Sequence, residues 1–264
     1  MPELPEVETI LRTLQAGGLV GRVITRVRVC WPREVAHPSA DEFVRRLQGN
    51  RFVDIARHGK YALLHLSDGT LVVHLRMSGR LELAPLEHCC GPHVRLVWEL
   101  DDGRALRFED ARKFGRAWWL KDPRTLLDKL GPDALAVEAE TFAHRLAARR
   151  GALKALLLDQ SFVAGVGNIY ADEALFRAGL HPRRLAQTLQ QHQRQALYRA
   201  LRETLLDGIA ANGASFDWVY PGGHFQNHFQ VYGRAGLACV RCATPIVRIR
   251  VAQRSTYFCP QCQQ

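Results

Sequence analysis

Four cysteines near the end of the chain have the spacing of a metal site. They form two Cys-x2-Cys pairs, Cys239 with Cys242 and Cys259 with Cys262, separated by sixteen residues. Two such pairs at this separation are typical of a tetrahedral four-thiolate zinc site on a β-hairpin. Because four thiolates leave no open position for water, the sequence predicts one structural zinc ion. The short tail is expected to need that ion to fold.

Basic side chains lie between the two cysteine pairs. Arg248, Arg250 and Arg254 occur on strand-like sequence, which suits contact with nucleic-acid phosphates. A solvated hairpin face is the alternative, and spacing does not decide between the two.

A glycine-rich turn precedes a predicted helix in QSFVAGVGNIYADEALF. Gly165 and Gly167 permit tight turns, and Asn168 is predicted to cap a helix that begins at Ile169. Amide groups at a helix start attract anions, so a DNA phosphate is a possible ligand that Lys154 could also approach. An ordinary turn is the alternative.

Three further segments place side chains that could act in catalysis or contact DNA at the predicted ends of strands. Lys60 follows Gly59 at a predicted tight connection, where a lysine is most often simply solvated. Met77 lies in HLRMSGRL, and Arg112 and Phe114 lie in EDARKFG. An exposed Met and Phe near an Arg can wedge into a DNA stack, whereas core packing is the ordinary role of a Phe.

The N-terminal stretch MPELPEVETILRTL has the pattern of an amphipathic helix. Pro5 suits a first helical turn, and Glu6 and Glu8 suit the positive end of the helix dipole. Gly17 and Gly18 end a run of apolar residues at helical spacing: Val7, Ile10, Leu11 and Leu14. By itself this pattern gives the terminus no chemical role.

The predicted secondary structure that positions these residues changes along the chain from strands to helices. Residues 22–121 mainly alternate polar and apolar, with turns at 67–69 and 101–103, which predicts a sandwich or barrel. From Thr141 the spacing is helical. The longest predicted helix stops at Asn212-Gly213, and its apolar face comprises Leu189, Leu197, Leu201, Leu205 and Ile209.

Composition narrows the class of protein. A chain of 264 residues with 47% hydrophobic residues is too apolar for disorder, and no apolar run reaches the roughly 18 residues of a membrane helix. No signal segment is recognisable, so we expect a soluble cytosolic protein. The net charge of +10 indicates a polyanionic partner, most commonly a nucleic acid.

The motifs, taken in order, resemble those of a known family. They are MPELPEVET, HGKY, HLRMSGRL, DARKFG, GVGNIYADEALF, QVYGR and a terminal CxxC…QRSTYFCPQC. From end to end the chain is similar to the bacterial formamidopyrimidine-DNA glycosylases. The resemblance implies an α+β multidomain fold with an N-terminal β-sandwich with flanking helices, a helix–two-turn–helix domain and a C-terminal zinc-finger β-hairpin. The implied boundaries are 1–132, 133–233 and 234–264.

The resemblance also implies catalytic roles. In that family the initiator Met is removed, and the next residue, here Pro2, attacks C1′ of the damaged nucleotide. Glu3 matches the acid that protonates the sugar or base, and Glu6 matches a supporting carboxylate. Lys60 matches a lysine assigned to β-elimination and phosphate contact. Arg254 matches the zinc-finger arginine assigned to δ-elimination and phosphate binding.

Further residues match the family's DNA contacts. Met77, Arg112 and Phe114 match the triad that fills the gap left by the flipped base, with Arg112 pairing the orphaned cytosine. Residues that match phosphate contacts are Lys154, Asn168, Tyr170 and His93.

The chain departs from the family pattern in two places. In HCCGPHV, Gly91 stands where relatives often have a histidine, and Cys89 and Cys90 fit no metal pattern. The stretch from Ser215 to Gln230 is several residues shorter than the lid of relatives, and its aromatic residues are Trp218, Tyr220, Phe225 and Phe229. Such rings stack on any base or belong to the interdomain core.

The resulting prediction is a bifunctional DNA glycosylase and AP lyase for oxidised purines, acting on damaged double-stranded DNA. It is expected to be a monomer with zinc, without a small-molecule cofactor or a membrane partner, in a bacterial cytoplasm and associated with the nucleoid. The alternatives are an endonuclease VIII-like glycosylase for oxidised pyrimidines and an inactive zinc-finger protein that binds damaged DNA.

Overall fold

The chain forms two compact units in the computed structural model, which describes residues 1–88, 91–215 and 222–264. The first unit contains Met1–Asp128, and the second contains Lys129–Ala214 and Gly223–Gln264.

The first unit contains two β-sheets. The five-stranded sheet has the order β2-β9-β5-β4-β3, and the four-stranded sheet has the order β1-β7-β8-β6. β2 and β9 are parallel, and the other pairs are antiparallel. The strands are β1 (Ile24–Val29), β2 (Val35–His37), β3 (Phe52–His58), β4 (Tyr61–Leu66), β5 (Thr70–His74), β6 (Gly79–Pro85), β7 (Val94–Leu100), β8 (Arg104–Asp110) and β9 (Arg116–Leu120). The predicted turns at 67–69 and 101–103 are confirmed, since they join β4 to β5 and β7 to β8.

Helix α1 (Leu4–Ala16) has the predicted N-terminal pattern, with Pro5 in its first turn and Gly17 at its end. The four apolar residues of its predicted face are buried in one core with residues of both sheets. α2 (Ala40–Leu47) was not predicted, because residues 22–121 were interpreted as mainly alternating. It starts at Ser39, whose hydroxyl accepts from the Glu42 amide. α3 (Arg124–Leu127) is a single turn.

The second unit is helical and ends in a hairpin. Its helices are α4 (Ala139–Ala147), α5 (Leu153–Leu158), α6 (Asn168–Arg177) and α7 (Gln191–Ala210). Four of the five apolar residues predicted on one face of this helix are buried in α7, whereas Leu189 is buried in the preceding turn, two residues before the helix starts. The helix stops before Asn212 and Gly213, which have left-handed φ values of 57° and 79°. β10 (Val247–Val251) and β11 (Arg254–Phe258) form the hairpin that the cysteine spacing predicted. Among the described residues, no helix is both long and apolar enough to span a membrane.

Candidate functional site

The beginning of the chain places two carboxyl groups beside Pro2. Helix α1 starts directly after Glu3, whose backbone N–H donates to the Glu6 carboxylate over 2.7 Å. The Glu3 side chain accepts in return from the Glu6 amide, which completes a capping box. Pro2, Glu3 and Glu6 are all buried. Helix capping therefore fixes two carboxyl groups next to residue 2 and shields them from water.

The nitrogen of Pro2 has a chemistry that depends on Met1. While Met1 is attached, this nitrogen is an amide and not a nucleophile. Once Met1 is removed it becomes a secondary amine, which can attack a sugar carbon and form a cationic Schiff base. Met1 is 48% exposed.

Lys60 lies in the predicted turn, between β3 and β4, and only 7% of it is exposed. Gly59 has a left-handed φ of 56°. Arg57 donates to the Gly59 carbonyl over 3.1 Å and to the Glu8 carboxylate over 2.9 Å. Because Glu8 belongs to α1, Arg57 links the helix that follows Glu3 to the turn that carries Lys60. Sequence reasoning missed this pair, since two residues 49 positions apart give no spacing signal.

His74 ends β5 and is a second residue that sequence reasoning missed. Burial lowers its pKa to about 3, and the positive charges of Arg76 and Lys60 act in the same direction. Its Nδ1 accepts from the Arg76 amide over 3.0 Å, and its ring lies edge-on to Tyr61 with centroids 4.6 Å apart. Arg76 has a left-handed φ of 55°. His74 is therefore neutral at pH 7 and stabilises the bend that precedes Met77.

Met77, Arg112 and Phe114 are exposed side chains on two turns of the first unit. Met77 is 38% exposed, and Phe114, between β8 and β9, is 48% exposed. The Arg112 guanidinium lies 5.0 Å from the centre of the Phe114 ring. Core packing, the ordinary role of a Phe, therefore does not apply to Phe114. The two apolar side chains remain available to a ligand.

Asp110 holds the loop that carries two of these side chains. It is fully buried, and its Oδ2 accepts from the amides of Phe114 over 2.8 Å and Gly115 over 2.7 Å. Its Oδ1 accepts from the Arg112 amide over 3.1 Å and from the Ser78 hydroxyl. Ser78 follows Met77, so one carboxylate ties both turns together. Asp110 is part of the motif DARKFG, but the motif does not reveal that the Asp110 side chain accepts hydrogen bonds from the loop backbone.

His93 lies just before β7 and is exposed. Its backbone carbonyl accepts from the Asp110 amide over 2.9 Å. Cys89 and Cys90 lie outside the described residues, as do Trp218 and Tyr220.

In the second unit, the predicted cap at Asn168 is wrong. Gly167, with extended backbone, is the N-cap residue of α6, and Asn168 is the first helical residue. The Asn168 side-chain amide instead donates to the Ser255 carbonyl in β11 over 3.0 Å. Gln160 shapes the preceding turn, because its side-chain oxygen accepts from the Gly165 amide over 3.0 Å.

Lys154 and Tyr170 are completely buried. The Lys154 ammonium donates to Asp172 over 2.6 Å and to the Asn168 carbonyl over 2.8 Å. Burial raises the pKa of Asp172 to about 6, although Lys154 opposes this shift. The Tyr170 ring stacks on Phe225 with centroids 5.0 Å apart. In this structure both side chains therefore have internal partners, and their contacts with phosphates stay predictions.

Arg254 is exposed at the start of β11. It follows a two-residue turn in which Ala252 and Gln253 have φ values of 46° and 60°, as tight hairpins require. Two residues of the same strand are bound by α6, since Ser255 accepts from Asn168 and the Tyr257 amide donates to Asp172 over 3.0 Å.

The four predicted cysteines come together at the base of the hairpin. Their sulfur atoms all lie within 4.8 Å of one another. Cys239 and Cys262 are 3.9 Å apart, and Cys242 is 3.5 Å from Cys259 and 3.4 Å from Cys262. A tetrahedron with zinc–sulfur bonds of about 2.3 Å has sulfur separations of about 3.8 Å. The residues present therefore fit a four-thiolate zinc ion.

Models of three protein families match the chain in succession. They are the formamidopyrimidine-DNA glycosylase N-terminal domain over residues 1–117, the H2TH domain of the same enzymes over 130–218, and a zinc finger found in FPG and IleRS over 236–264. The last match confirms the predicted zinc module.

Whole proteins give the same picture. The formamidopyrimidine-DNA glycosylase of Chloroflexus aggregans is 46% identical over 272 residues, covering 100% of this chain and 98% of its own. That of Heliobacterium modesticaldum is 45% identical and is covered completely.

Among solved structures, MutM in complex with DNA containing carbocyclic 8-oxo-G has a TM-score of 0.92 at 35% identity, with 100% of both chains covered. Lactococcus lactis Fpg in complex with DNA containing an abasic site has a TM-score of 0.91 at 34% identity, with 99% of both chains covered. The chain therefore belongs to the formamidopyrimidine-DNA glycosylase family.

Proposed function

We propose that this protein is a DNA glycosylase and AP lyase that removes oxidised purines from double-stranded DNA in base excision repair. Its curated relatives are named formamidopyrimidine-DNA glycosylases along their whole length, and its structural neighbours are bound to DNA with 8-oxo-G or an abasic site. The observation that carries the proposal for this chain is the N-terminal Pro2 beside the buried carboxyl groups of Glu3 and Glu6.

The reaction begins once Met1 has been removed. The secondary amine of Pro2 attacks C1′ of the damaged nucleotide, the N-glycosidic bond breaks, and its electron pair leaves with the base. Glu3 is the group placed to supply the proton for this step. The Pro2 nitrogen then loses its proton, the C1′–O4′ bond breaks and O4′ takes up a proton. The product is an iminium ion that joins Pro2 to the ring-opened sugar.

Strand cleavage follows from the iminium ion, which withdraws electrons from C2′. Loss of a C2′ proton breaks the C3′–O bond and releases the 3′ phosphate. A second elimination breaks the C5′–O bond, and hydrolysis of the imine frees Pro2. We assign Lys60 to proton transfer in the first elimination and Arg254 to the second, together with binding of the flanking phosphates.

The exposed side chains favour an oxidised-purine enzyme over the alternative for oxidised pyrimidines. Met77 and Phe114 are apolar wedges for the gap left by an everted base. Arg112 lies beside Phe114 and carries donors suited to pairing with an orphaned cytosine, the normal partner of a guanine lesion.

The three predicted domains have different roles in this proposal. We propose that residues 1–132 carry the nucleophile and its acid, that 133–233 bind DNA, and that 234–264 form a zinc-dependent DNA-holding module that also supplies Arg254. Zinc supplies folding energy to this module, because four thiolates leave no open coordination position. The protein is a monomer that acts in the bacterial cytoplasm on chromosomal DNA.

Borohydride trapping tests this function directly. The purified protein, with Met1 removal verified by mass spectrometry, is incubated with duplex DNA containing 8-oxoguanine opposite cytosine and reduced with borohydride. Reduction of the iminium to an amine makes the adduct permanent. We expect a trapped complex whose adduct maps to residue 2 after proteolysis. No trapped complex, or an adduct on Lys60, would contradict the proposal.

Two variants sharpen the test. Pro2→Gly is expected to reduce trapping severely, since it replaces the secondary amine by a primary one. Glu3→Gln is expected to stop base removal while it leaves cleavage at a preformed abasic site, because the latter reaction needs no leaving base. Normal 8-oxoguanine excision by Glu3→Gln would remove Glu3 from the mechanism.

A further inference from the structure

Glu34 is a buried carboxyl group that the proposed chemistry does not use. It ends a short 3-10 turn, Pro32–Glu34, between β1 and β2, and it is 0% exposed. Neither of its carboxylate oxygens accepts a hydrogen bond from a described residue. The nearest cation is the Arg116 guanidinium, 3.6 Å from Oε2. An ionised carboxylate with so little compensation is costly, so this position calls for a physical explanation.

The segment around Glu34 packs against the loop that carries Arg112 and Phe114. The Lys113 ammonium lies 4.1 Å from the centre of the Trp31 ring. On the other side of Glu34, Val35 in β2 pairs with Ala117 in β9, directly after that loop. Residues 31–35 therefore contact the loop 110–116 at its middle and at its end.

The charged groups that act on Glu34 come from three strands and from the loop. Asp110 ends β8, Arg116 begins β9, Arg95 belongs to β7, and Lys113 lies in the loop. Burial and the like charge of Asp110 raise the pKa of Glu34 to about 7, although the three cations oppose this shift. Both protonation states are therefore populated near neutral pH.

The two carboxyl groups beneath the loop differ in their hydrogen bonding. Asp110 accepts from three loop amides and from Ser78, so its ionised form is well compensated. When Glu34 is ionised as well, it repels Asp110 and attracts Arg116 and Lys113. Lys113 has a left-handed φ of 59° and lies between Arg112 and Phe114. A change in the force on Lys113 is thus transmitted to both neighbours through the backbone.

We propose that Glu34 is a positioning residue for the loop 110–116, and that its ionisation changes how strictly this loop reads the base opposite a lesion. This inference rests on the proposed function, in which Arg112 and Phe114 enter the DNA. It adds a specificity determinant outside the DNA-contacting side chains.

The experiment compares excision opposite two bases across pH. Single-turnover rates for 8-oxoguanine opposite cytosine and opposite adenine are measured between pH 6.0 and 8.5. Their ratio cancels the pH dependence of the chemical steps, which both substrates share. In the wild-type protein we expect this ratio to change by at least about fivefold, the lower end of the usual coupling between sites. In Glu34→Gln the ratio is expected to be independent of pH.

Controls separate the possible outcomes. Glu42→Gln removes a half-buried carboxylate on α2 that pairs with Arg45 and Arg46, and it should retain the wild-type curve. Glu34→Met supplies a second uncharged variant, since an apolar side chain of similar length often replaces a buried charge without loss of stability. A pH-independent ratio in the wild type, or a wild-type curve in either folded Glu34 variant, overturns the inference. Failure of the wild type to excise the lesion at any pH instead contradicts the proposed function.

Discussion

Lys154 and Asp172 form an ion pair in the second unit, with 2.6 Å between Nζ and a carboxylate oxygen and with both side chains fully buried. The other oxygen of Asp172 accepts from the Tyr257 amide in β11. The pair therefore joins α5 and α6 to the strand that begins with Arg254. A lysine that sequence reasoning assigned to a phosphate contributes here to the internal packing that orders the hairpin.

We predict that Lys154→Met lowers the free energy of unfolding by about 3–5 kcal/mol, because it leaves the Asp172 carboxylate buried and unpaired. The double variant Lys154→Met with Asp172→Asn should recover much of this loss, since the Asn oxygen still accepts from Tyr257 and no charge remains. Chemical denaturation followed by far-UV circular dichroism measures both effects. Equal stability of the single variant and the wild type would show that the ion pair is not formed in solution.

Salt dependence distinguishes Lys154 from Arg254. Each phosphate contact contributes about 0.9 to the slope of log K against log salt for duplex DNA. We predict that Arg254→Ala reduces this slope by about one, because Arg254 is exposed. The Lys154 and Asp172 double variant should retain the wild-type slope. Fluorescence anisotropy between 50 and 200 mM salt, roughly the range over which such slopes are resolved, gives the comparison. A reduced slope in the double variant would show that Lys154 contributes a phosphate contact.

Periodicity and motif spacing predicted most of the fold. The zinc hairpin, the first helix and the buried face of α7 are all confirmed, because each depends on residues close in sequence. α2 was missed, since its eight residues lie inside a stretch of alternating polarity. Short helices are determined largely by tertiary contacts, in this case the burial of Phe43 and Leu47.

Motifs predict candidate site residues, but they do not predict the side chains that hold those residues in place. Pro2, Lys60, Arg112 and Arg254 could be named from motifs. Asp110 was within one of those motifs and was still missed as the group that holds the loop. Side-chain bonds of this kind join residues whose separation in sequence carries no signal. For the same reason, the sequence does not show that Lys154 pairs with the buried carboxylate of Asp172.

Zinc is expected to hold the hairpin in its DNA-binding form. We predict that Cys239→Ser lowers both the zinc content and the affinity for DNA, because three thiolates bind zinc less tightly than four and the module depends on the metal to fold. Cys30→Ser is the matched control, since Cys30 is exposed in the first unit and outside the metal cluster. Elemental analysis should give about one zinc per chain for the wild type and for Cys30→Ser. Full DNA affinity in a zinc-free Cys239→Ser protein would show that DNA binding does not require zinc.

Glu34 should make the first unit less stable as pH rises. Its pKa is raised from 4.5 to about 7, so between these values the folded state binds a proton that the unfolded state has lost. The free energy of unfolding therefore falls with pH across this range. Glu34→Gln removes the titration, and its stability relative to the wild type should rise by up to about 3 kcal/mol between pH 5 and 8. Tryptophan fluorescence in urea suits the measurement, since four of the five tryptophans lie in residues 1–128. A constant difference across pH would contradict the assignment.

Phe225 was one of four aromatic residues near the shortened lid that could either stack on an everted base or pack in the core. It is 4% exposed, with its ring stacked on Tyr170 and 5.7 Å from the ring of Phe229. The ring of Phe229 in turn packs against the ring of Tyr232, with centroids 5.4 Å apart. The position of Phe225 therefore supports the core role. We predict that Phe225→Ala lowers the free energy of unfolding by about 3–5 kcal/mol through loss of this packing.

The same variant should leave lesion preference unchanged. Under conditions where Phe225→Ala remains folded, the relative excision rates for 8-oxoguanine, formamidopyrimidines and oxidised pyrimidines should match the wild type, because a buried ring does not touch the base. Phe114→Ala is the contrasting variant, since Phe114 is 48% exposed and its loss should weaken binding to all of these lesions alike. A panel of lesions opposite cytosine measures both. If Phe225→Ala changes the order of lesion preference at unchanged stability, its ring contacts the lesion, and the core role is wrong.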